Sequence, residues 1–280
     1  MKHVIFKIEN GLAEITLNRP EARNALSEEM RAEIDQCIRE IKSKQGTEVG
    51  AVLVTGAGKS FCSGGDVKAM ADPNRGLPTT ARVRMRSAHS RLYDLSHLEV
   101  PVIAAVNGHA AGAGLGLALM ADFVIAGPSS KFICSFVRIG LVPDWGLLYS
   151  LPRIVGLQKA KELVFTGRQV GAEEAKALGM VTRIYPDETL VEDARAFAMR
   201  FTKASQHAIA VAKTALMMSL ESDHRTMVEI EALSQAVSYV NPYHKEAVGR
   251  FRDKQPALFD WEALEKEEAA RRGAKSEAAD

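Results

Sequence analysis

Asp144 stands in the run Gly140-Leu141-Val142-Pro143-Asp144-Trp145-Gly146. A carboxylate between a proline and a tryptophan, in apolar surroundings, is either a helix N-cap or a desolvated acid with a raised pKa. In the second role it can take up and return a proton near neutral pH. Two glycine-rich stretches are candidates to work with it. The turn at Gly58-Lys59-Ser60, in the run Thr55 to Asp66, and the turn Gly112-Ala113-Gly114-Leu115-Gly116 each end an apolar strand in small residues and lead into a helix. Such turns free backbone N–H groups and let a ligand approach closely. Side by side they can aim two N–H donors at one oxygen, as an oxyanion hole does. The plainer alternative is that these glycines only permit tight packing. His89 lies in a helical stretch, as a surface or core histidine or as a ligand contact. Phe136 and Trp145 read as pocket lining or core.

Two nucleotide-binding patterns are started and not completed. Gly58-Lys59-Ser60 resembles the end of a P-loop, but Leu53 stands where the first glycine belongs. Gly112-Ala113-Gly114-Leu115-Gly116 begins like a dinucleotide fingerprint, but Leu117 takes the place of its third glycine.

The elements that must position these residues follow from pattern. Residues 3–8 and 12–17 are β-rich runs around Asn10-Gly11, a hairpin signal. Ser27 can cap a helix whose Met30, Ile34, Ile38 and Ile41 recur at helical spacing. Val49 to Val54, Pro101 to Val106 and Phe123 to Ala126 read as buried strands. Between the first two, 72–80 reads as a surface loop and 82–98 as a helix carrying Arg82, Arg84, Arg86 and Arg91. Helical patterns fill most of 157–179 and 188–240. Strands alternate with helices in the first two thirds, which implies parallel sheet packing in an α/β chain. The divisions expected are a core over 1–195, a helical region over 196–260 and a charged tail over 261–280 that frays from a helix.

Composition excludes several classes. The chain has 280 residues, with 36 Lys and Arg against 35 Asp and Glu, a net charge of +1. That balance argues against a nucleic-acid binder relying on phosphate neutralisation. A chain of this length buries about 75% of its unfolded surface, so no metal or disulfide is needed to hold it together. Cys37, Cys62 and Cys134 are too few and too scattered for a disulfide framework or a metal site. A reducing, cytoplasmic setting is expected, and the N-terminal apolar stretch is too short for a signal peptide. No charged side chain occurs from Val100 to Ala121, a membrane-spanning length. Pro101, Asn107, His109 and four glycines interrupt it, so it reads as a buried strand, turn and helix.

Taken in order, these segments resemble the enoyl-CoA hydratase/isomerase family, the crotonase superfamily. The resemblance is carried by Leu17-Asn18-Arg19-Pro20-Glu21-Ala22-Arg23-Asn24-Ala25-Leu26, Phe61 to Asp66 and Pro101 to Gly114, and continues in Ile139 to Asp144 and Leu151 to Gly156. Phe165-Thr166-Gly167 and Ala172-Glu173-Glu174-Ala175 extend it, to about residues 1–258. It implies a spiral of ββα units, a C-terminal helical region packing in homotrimers or dimers of trimers, and an acyl-CoA thioester as ligand. Coenzyme A then enters as part of the substrate, with no resident cofactor and no metal. The resemblance makes the N–H groups of Gly65 and Ala113 the oxyanion hole. Arg23, Ala25, Ser63, Gly64, Gly65, Asp66 and Val67 become the wall meeting CoA, with Gly112, Phe136 and Pro143 as further candidate CoA-binding positions. Lys254 resembles basic C-terminal positions that reach CoA phosphates.

The departures select among activities. Hydratases of this family use two glutamates, and the matching positions here are Gly116 and Phe136. Neither side chain can transfer a proton. Asp144 falls where family isomerases and aryl-CoA dehalogenases keep a working aspartate. The expected function is therefore double-bond isomerisation of an enoyl-CoA, with Asp144 as acid and base. Hydration is one alternative. Another is dehalogenation or thioester hydrolysis with Asp144 as nucleophile and His89 assisting. A non-catalytic acyl-CoA-binding or RNA-binding scaffold is the alternative of another class.

Overall fold

The computed structural model describes residues 1–66 and 78–277, apart from the side chains of Thr80, Arg84, Ser87, Ala88, His89, Arg91, Leu92 and 271–277. The first hairpin forms where Asn10-Gly11 separates two β-rich runs. Strands β1 (Val4–Glu9) and β2 (Leu12–Leu17) pair antiparallel, with Glu9 opposite Leu12 and Val4 opposite Leu17. Asn10 and Gly11 both have positive φ, 52° and 84°, as a two-residue hairpin turn of the favoured hand requires.

From β2 onward the sheet is parallel. Its order is β1-β2-β3-β4-β6-β9, where β3 is Ala51–Gly56, β4 Val102–Val106, β6 Phe123–Ala126 and β9 Arg183–Ile184. Strands β3 and β4 are buried at every residue, which explains their unbroken apolar sequences. A second, smaller sheet has the order β5-β7-β8, built from His109–Ala111, Lys131–Ile133 and Gln169–Gly171. These strands are three residues each, too short to show a periodicity, and sequence reading does not find them.

Helix α1 (Glu28–Lys44) is capped as expected: the Ser27 hydroxyl accepts from the Met30 N–H. Its buried side are Met30, Ile34, Cys37, Ile38 and Ile41, with Arg31 among them. The strand expected at 49–54 is displaced to Ala51–Gly56, because Gly46 and Val49 close a turn after α1. The helix expected at 82–98 is α2, Pro78–Ser96. The loop expected at 72–80 falls outside the described residues except for 78–80, which are helical. The charge-free stretch becomes β4, β5 and the short helix α3 (Ala113–Leu119), and among the described residues no helix is long and apolar enough to cross a membrane. Helices α4 (Leu147–Val155), α5 (Leu157–Thr166), α6 (Ala172–Ala177) and α7 (Leu190–Phe201) follow. Sequence patterning misses α4, which starts after a glycine and contains Pro152.

Contacts divide the chain into Met1–Ala198 and Met199–Asp280. The second unit holds α8 (Gln206–Ser219), α9 (His224–Tyr239), α10 (Pro242–Arg252) and α11 (Trp261–Glu277). The charged C-terminal segment is thus helical as far as Glu277. It is held within this unit by Arg200, whose buried guanidinium bonds Glu268 and lies 4.8 Å from the Trp261 ring.

Within the first unit one carboxylate ties the sheet to a helix. Glu14, on β2, accepts two hydrogen bonds from Arg195 of α7, at 2.7 and 2.8 Å, and Lys7 stands 3.4 Å away. Burial pushes the Glu14 carboxyl up, but the Arg195 hydrogen bond and charge, with Lys7, outweigh it and hold the carboxyl below its ordinary value. A depressed pKa stabilises the fold above the unfolded-state value, and that contribution is lost as pH falls through the folded one. Glu14→Gln is expected to cost about 1–2 kcal/mol near neutral pH, less than a fully buried charged pair because Arg195 is partly exposed. Urea titrations of both proteins should show the difference shrinking below the ordinary glutamate pKa.

Candidate active site

The two glycine turns come together because the main chains that carry them run side by side. The Cys62 N–H donates to His109 O at 2.9 Å, and the Ala111 N–H donates to Cys62 O at 3.0 Å. Gly64, at φ 98°, lies so close to the second turn that a β-carbon on it would be 2.7 Å from Ala111 O and 3.3 Å from Ala113 N. Gly112, at φ 52°, turns the chain out of β5 into α3 and donates its N–H to Ile133 O. Ala113 is the first residue of α3, so its N–H has no acceptor inside the helix. Among the described residues, neither the Gly65 nor the Ala113 N–H meets a protein acceptor. Two such donors on adjoining turns can share one anionic oxygen.

Two asparagines that sequence reading overlooks hold the first turn in place. Asn24, fully buried at φ 56°, donates to Ala57 O and Ser60 O at 2.9 and 2.7 Å and accepts from the Arg19 N–H. Asn107 donates to Gly56 O and Gly58 O at 2.7 and 2.8 Å. The Gly58-Lys59-Ser60 segment thus turns carbonyls toward these two amides, a packing role and not a phosphate cradle. Both residues sit in turn-like sequence, but the carbonyls they reach lie 33 to 51 positions away. Arg19 completes the frame, with an ion pair to Asp66 at 3.0 Å and a hydrogen bond to Ala25 O at 2.8 Å.

The third component is the loop through Asp144. Asp144 is half-buried, with Oδ1 out of contact with solvent, between buried Pro143 and Trp145. The N-cap of α4 is Gly146, not Asp144, so capping is not the aspartate's role. Trp145 and Gly146 both take positive φ, 51° and 74°. This loop packs main chain to main chain on α3: a β-carbon on Gly116 would lie 2.3 Å from Trp145 O. A β-carbon on Gly114 would meet Cys62 O at the same 2.3 Å. Phe136, in the 3-10 turn Ser135–Ile139, puts its ring edge 3.8 Å from where a Gly112 β-carbon would be. Gly116 therefore carries no side chain because Trp145 occupies the space.

Of the other candidates, Ser63 donates its N–H to Arg23 O, and Leu26 donates to Gly64 O, so 23–26 lies along the first turn. Ala25 is buried and Arg23 exposed. Val67 and the side chain of His89 lie outside the described residues. Lys254 belongs to the second unit and is exposed. Arg31 is a further residue that sequence reading missed, because a periodic helix gives no sign that a cation is on its buried side. It is 6% exposed, with its guanidinium carbon 5.4 Å from the Trp145 ring centroid. Burial pushes the neighbouring Cys62 thiol up to about 12, with the Arg31 charge acting the other way.

The mixed sheet, the short strands set beside it and the paired glycine turns define an α/β enzyme of the crotonase fold. The family model described as enoyl-CoA hydratase/isomerase matches residues 7–262, and the chain belongs to that family. A 1,2-epoxyphenylacetyl-CoA isomerase of Escherichia coli is 33% identical over 260 residues, covering 92% of this chain and 98% of its own length. A probable enoyl-CoA hydratase of Rhodobacter capsulatus is 36% identical over 254 residues, covering 91% and 96%. The crystal structure of an enoyl-CoA hydratase/isomerase from Cupriavidus metallidurans is similar at TM-score 0.88 and 36% identity, covering 92% and 96%.

The Gly116 contact generates a prediction. Gly116→Ala forces main chain apart and is expected to cost about 1–3 kcal/mol by urea unfolding. Gly116→Glu, which returns a glutamate to the position that the family resemblance assigns to one, is expected to gain no hydration of a 2-enoyl-CoA. Loss of the conjugated thioester absorbance measures this.

Proposed function

We propose that this enzyme shifts the double bond of an enoyl-CoA between the 3- and 2-positions. The observation that carries the reading is the contact of Gly116 with the Trp145 main chain: a carboxylate is absent there, and the nearby acid is Asp144. The Asp144 carboxylate takes a proton from C2 of the 3-enoyl thioester. The C2–H electron pair moves into the C2–C1 bond, and the thioester oxygen becomes an enolate held by the N–H groups of Gly65 and Ala113. Protonated Asp144 then gives its proton to C4, the electrons return from oxygen, and the double bond rests between C2 and C3. Atoms and charge balance, with no metal and no resident cofactor in the cycle. One oxyanion donor is worth about 2.7–4 kcal/mol, so two of them stabilise the enolate more than any single contact here.

The substrate side of the reading is an acyl-CoA, with CoA along Arg23, Ala25 and the 63–66 turn. The coenzyme A thioester in the name of the E. coli relative supports it, as does the exposure of Arg23 beside that turn. Assembly as a homotrimer or a dimer of trimers is part of the same reading. It is supported in the first unit by the exposed apolar side chains Ile139, Val142, Leu148, Leu157 and Phe165, and in the second by Leu216, Leu220, Leu233 and Val240. A reducing, cytoplasmic setting is part of the same reading, supported by the three free, buried cysteines.

Asp144→Asn is expected to lower turnover of a 3-enoyl-CoA by about 10²–10⁴-fold, the contribution of a positioned acid–base group, while CoA-ligand affinity is kept. Turnover at the wild-type rate overturns the isomerase reading. A single turnover in heavy-oxygen water separates the hydrolytic alternative, since only attack by Asp144 leaves label in its carboxylate.

A further inference from the structure

The Asp144 loop is held in a backbone conformation that its own sequence disfavours. Trp145 has φ 51°, a left-handed geometry that costs a bulky side chain about 1–3 kcal/mol unless its surroundings impose it. Two contacts impose it. On the main-chain side, Trp145 O lies against Gly116 of α3. On the side-chain side, the indole is buried to 2% exposure, with the Arg31 guanidinium carbon 5.4 Å from its centroid. Arg31 itself is 6% exposed on α1, a cation taken into the interior of the first unit. A guanidinium near an aromatic ring is attracted by its quadrupole, and the attraction grows when water is excluded.

We propose that Arg31 is a positioning residue for the reaction: through the Trp145 ring it clamps the left-handed turn that sets the direction of the Asp144 carboxylate. This rests on the isomerase reading for the role of Asp144. The clamp itself rests only on the Arg31–Trp145–Gly116 contacts. Arg31 therefore acts on Asp144 through Trp145, as a positioning residue.

The test compares Arg31→Met, Arg31→Lys and Trp145→Leu in the full-length protein, with Asp144→Asn as reference. Trp145 and Trp261 are the two tryptophans of the chain, so a Trp261→Phe background makes fluorescence report Trp145 alone. Arg31→Met is expected to lower kcat by roughly 10- to 100-fold, the size for a group displaced by up to about 1 Å. KM is expected to stay within about twofold, because uniform substrate binding is untouched. Trp145 emission should shift, and Arg31→Lys should recover much of kcat by restoring the cation. Trp145→Leu should reproduce the kcat loss, and the double variant should be no worse than either single one, as coupled residues require. Wild-type kcat in Arg31→Met overturns the proposal. So does a loss of kcat and KM together that Arg31→Lys does not recover. If Arg31→Met fails to fold, Trp145→Leu decides: wild-type kcat there overturns the proposal. Full activity in Asp144→Asn removes the isomerase reading, while the fluorescence and coupling results still judge the clamp.

Discussion

Helix α3 lies between two stretches of main chain that, at Gly114 and Gly116, leave no room for a side chain. Gly114 rests against the carbonyl of Cys62 and Gly116 against that of Trp145, each closer than a β-carbon permits. Two residues apart on a helix point nearly opposite ways, so one short segment fixes a loop on either side of it. One loop brings Gly65 beside Ala113, and the other brings Asp144. The glycines at 114 and 116 therefore let both the 62–65 turn and the Asp144 loop pack on α3. This packing also explains why this member of the family has no glutamate at 116, since the space is filled by the backbone that carries the aspartate.

The frame behind this contact is rigid because its polar groups are satisfied. Asn24 and Asn107 hold four carbonyls of the 56–60 segment, and Ser130 donates to Val106 O at the end of β4. A buried carbonyl without a donor costs about 1–3 kcal/mol, so each amide opposes movement of the turn it serves. Strands β3 and β4, buried on both faces, deliver the two turns from adjacent positions in the sheet. The site thus has rigid donors on one side. On the other is Asp144, on a loop whose Trp145 takes a left-handed φ of 51°.

Long or strongly patterned elements were legible in the sequence. Asn10-Gly11 announced the hairpin, Ser27 and its periodic apolar residues announced α1, and the unbroken apolar runs announced β3, β4 and β6. The small sheet was not legible. Its strands are three residues long, and their pairing is decided by partners 22 to 40 positions away. The aspartate was visible as a candidate, with capping left open as an alternative. That alternative closed only when α4 proved to start after Gly146. Asn24, Asn107 and Arg31 were ordinary residues in their local sequence and acquired roles through contacts across the chain.

The sequence by itself determined the family, the α/β class and the inventory of chemistry: an aspartate in apolar surroundings, two glycine turns, and no glutamate at 116 or 136. These follow from residue type and short-range order, which a linear string contains. Tertiary structure decided which turns adjoin, that Gly116 is occupied by Trp145, and that a cation sits behind the tryptophan. Those facts depend on distances between residues far apart in the chain. In a close-packed interior a single backbone contact excludes a side chain, and no local pattern records it.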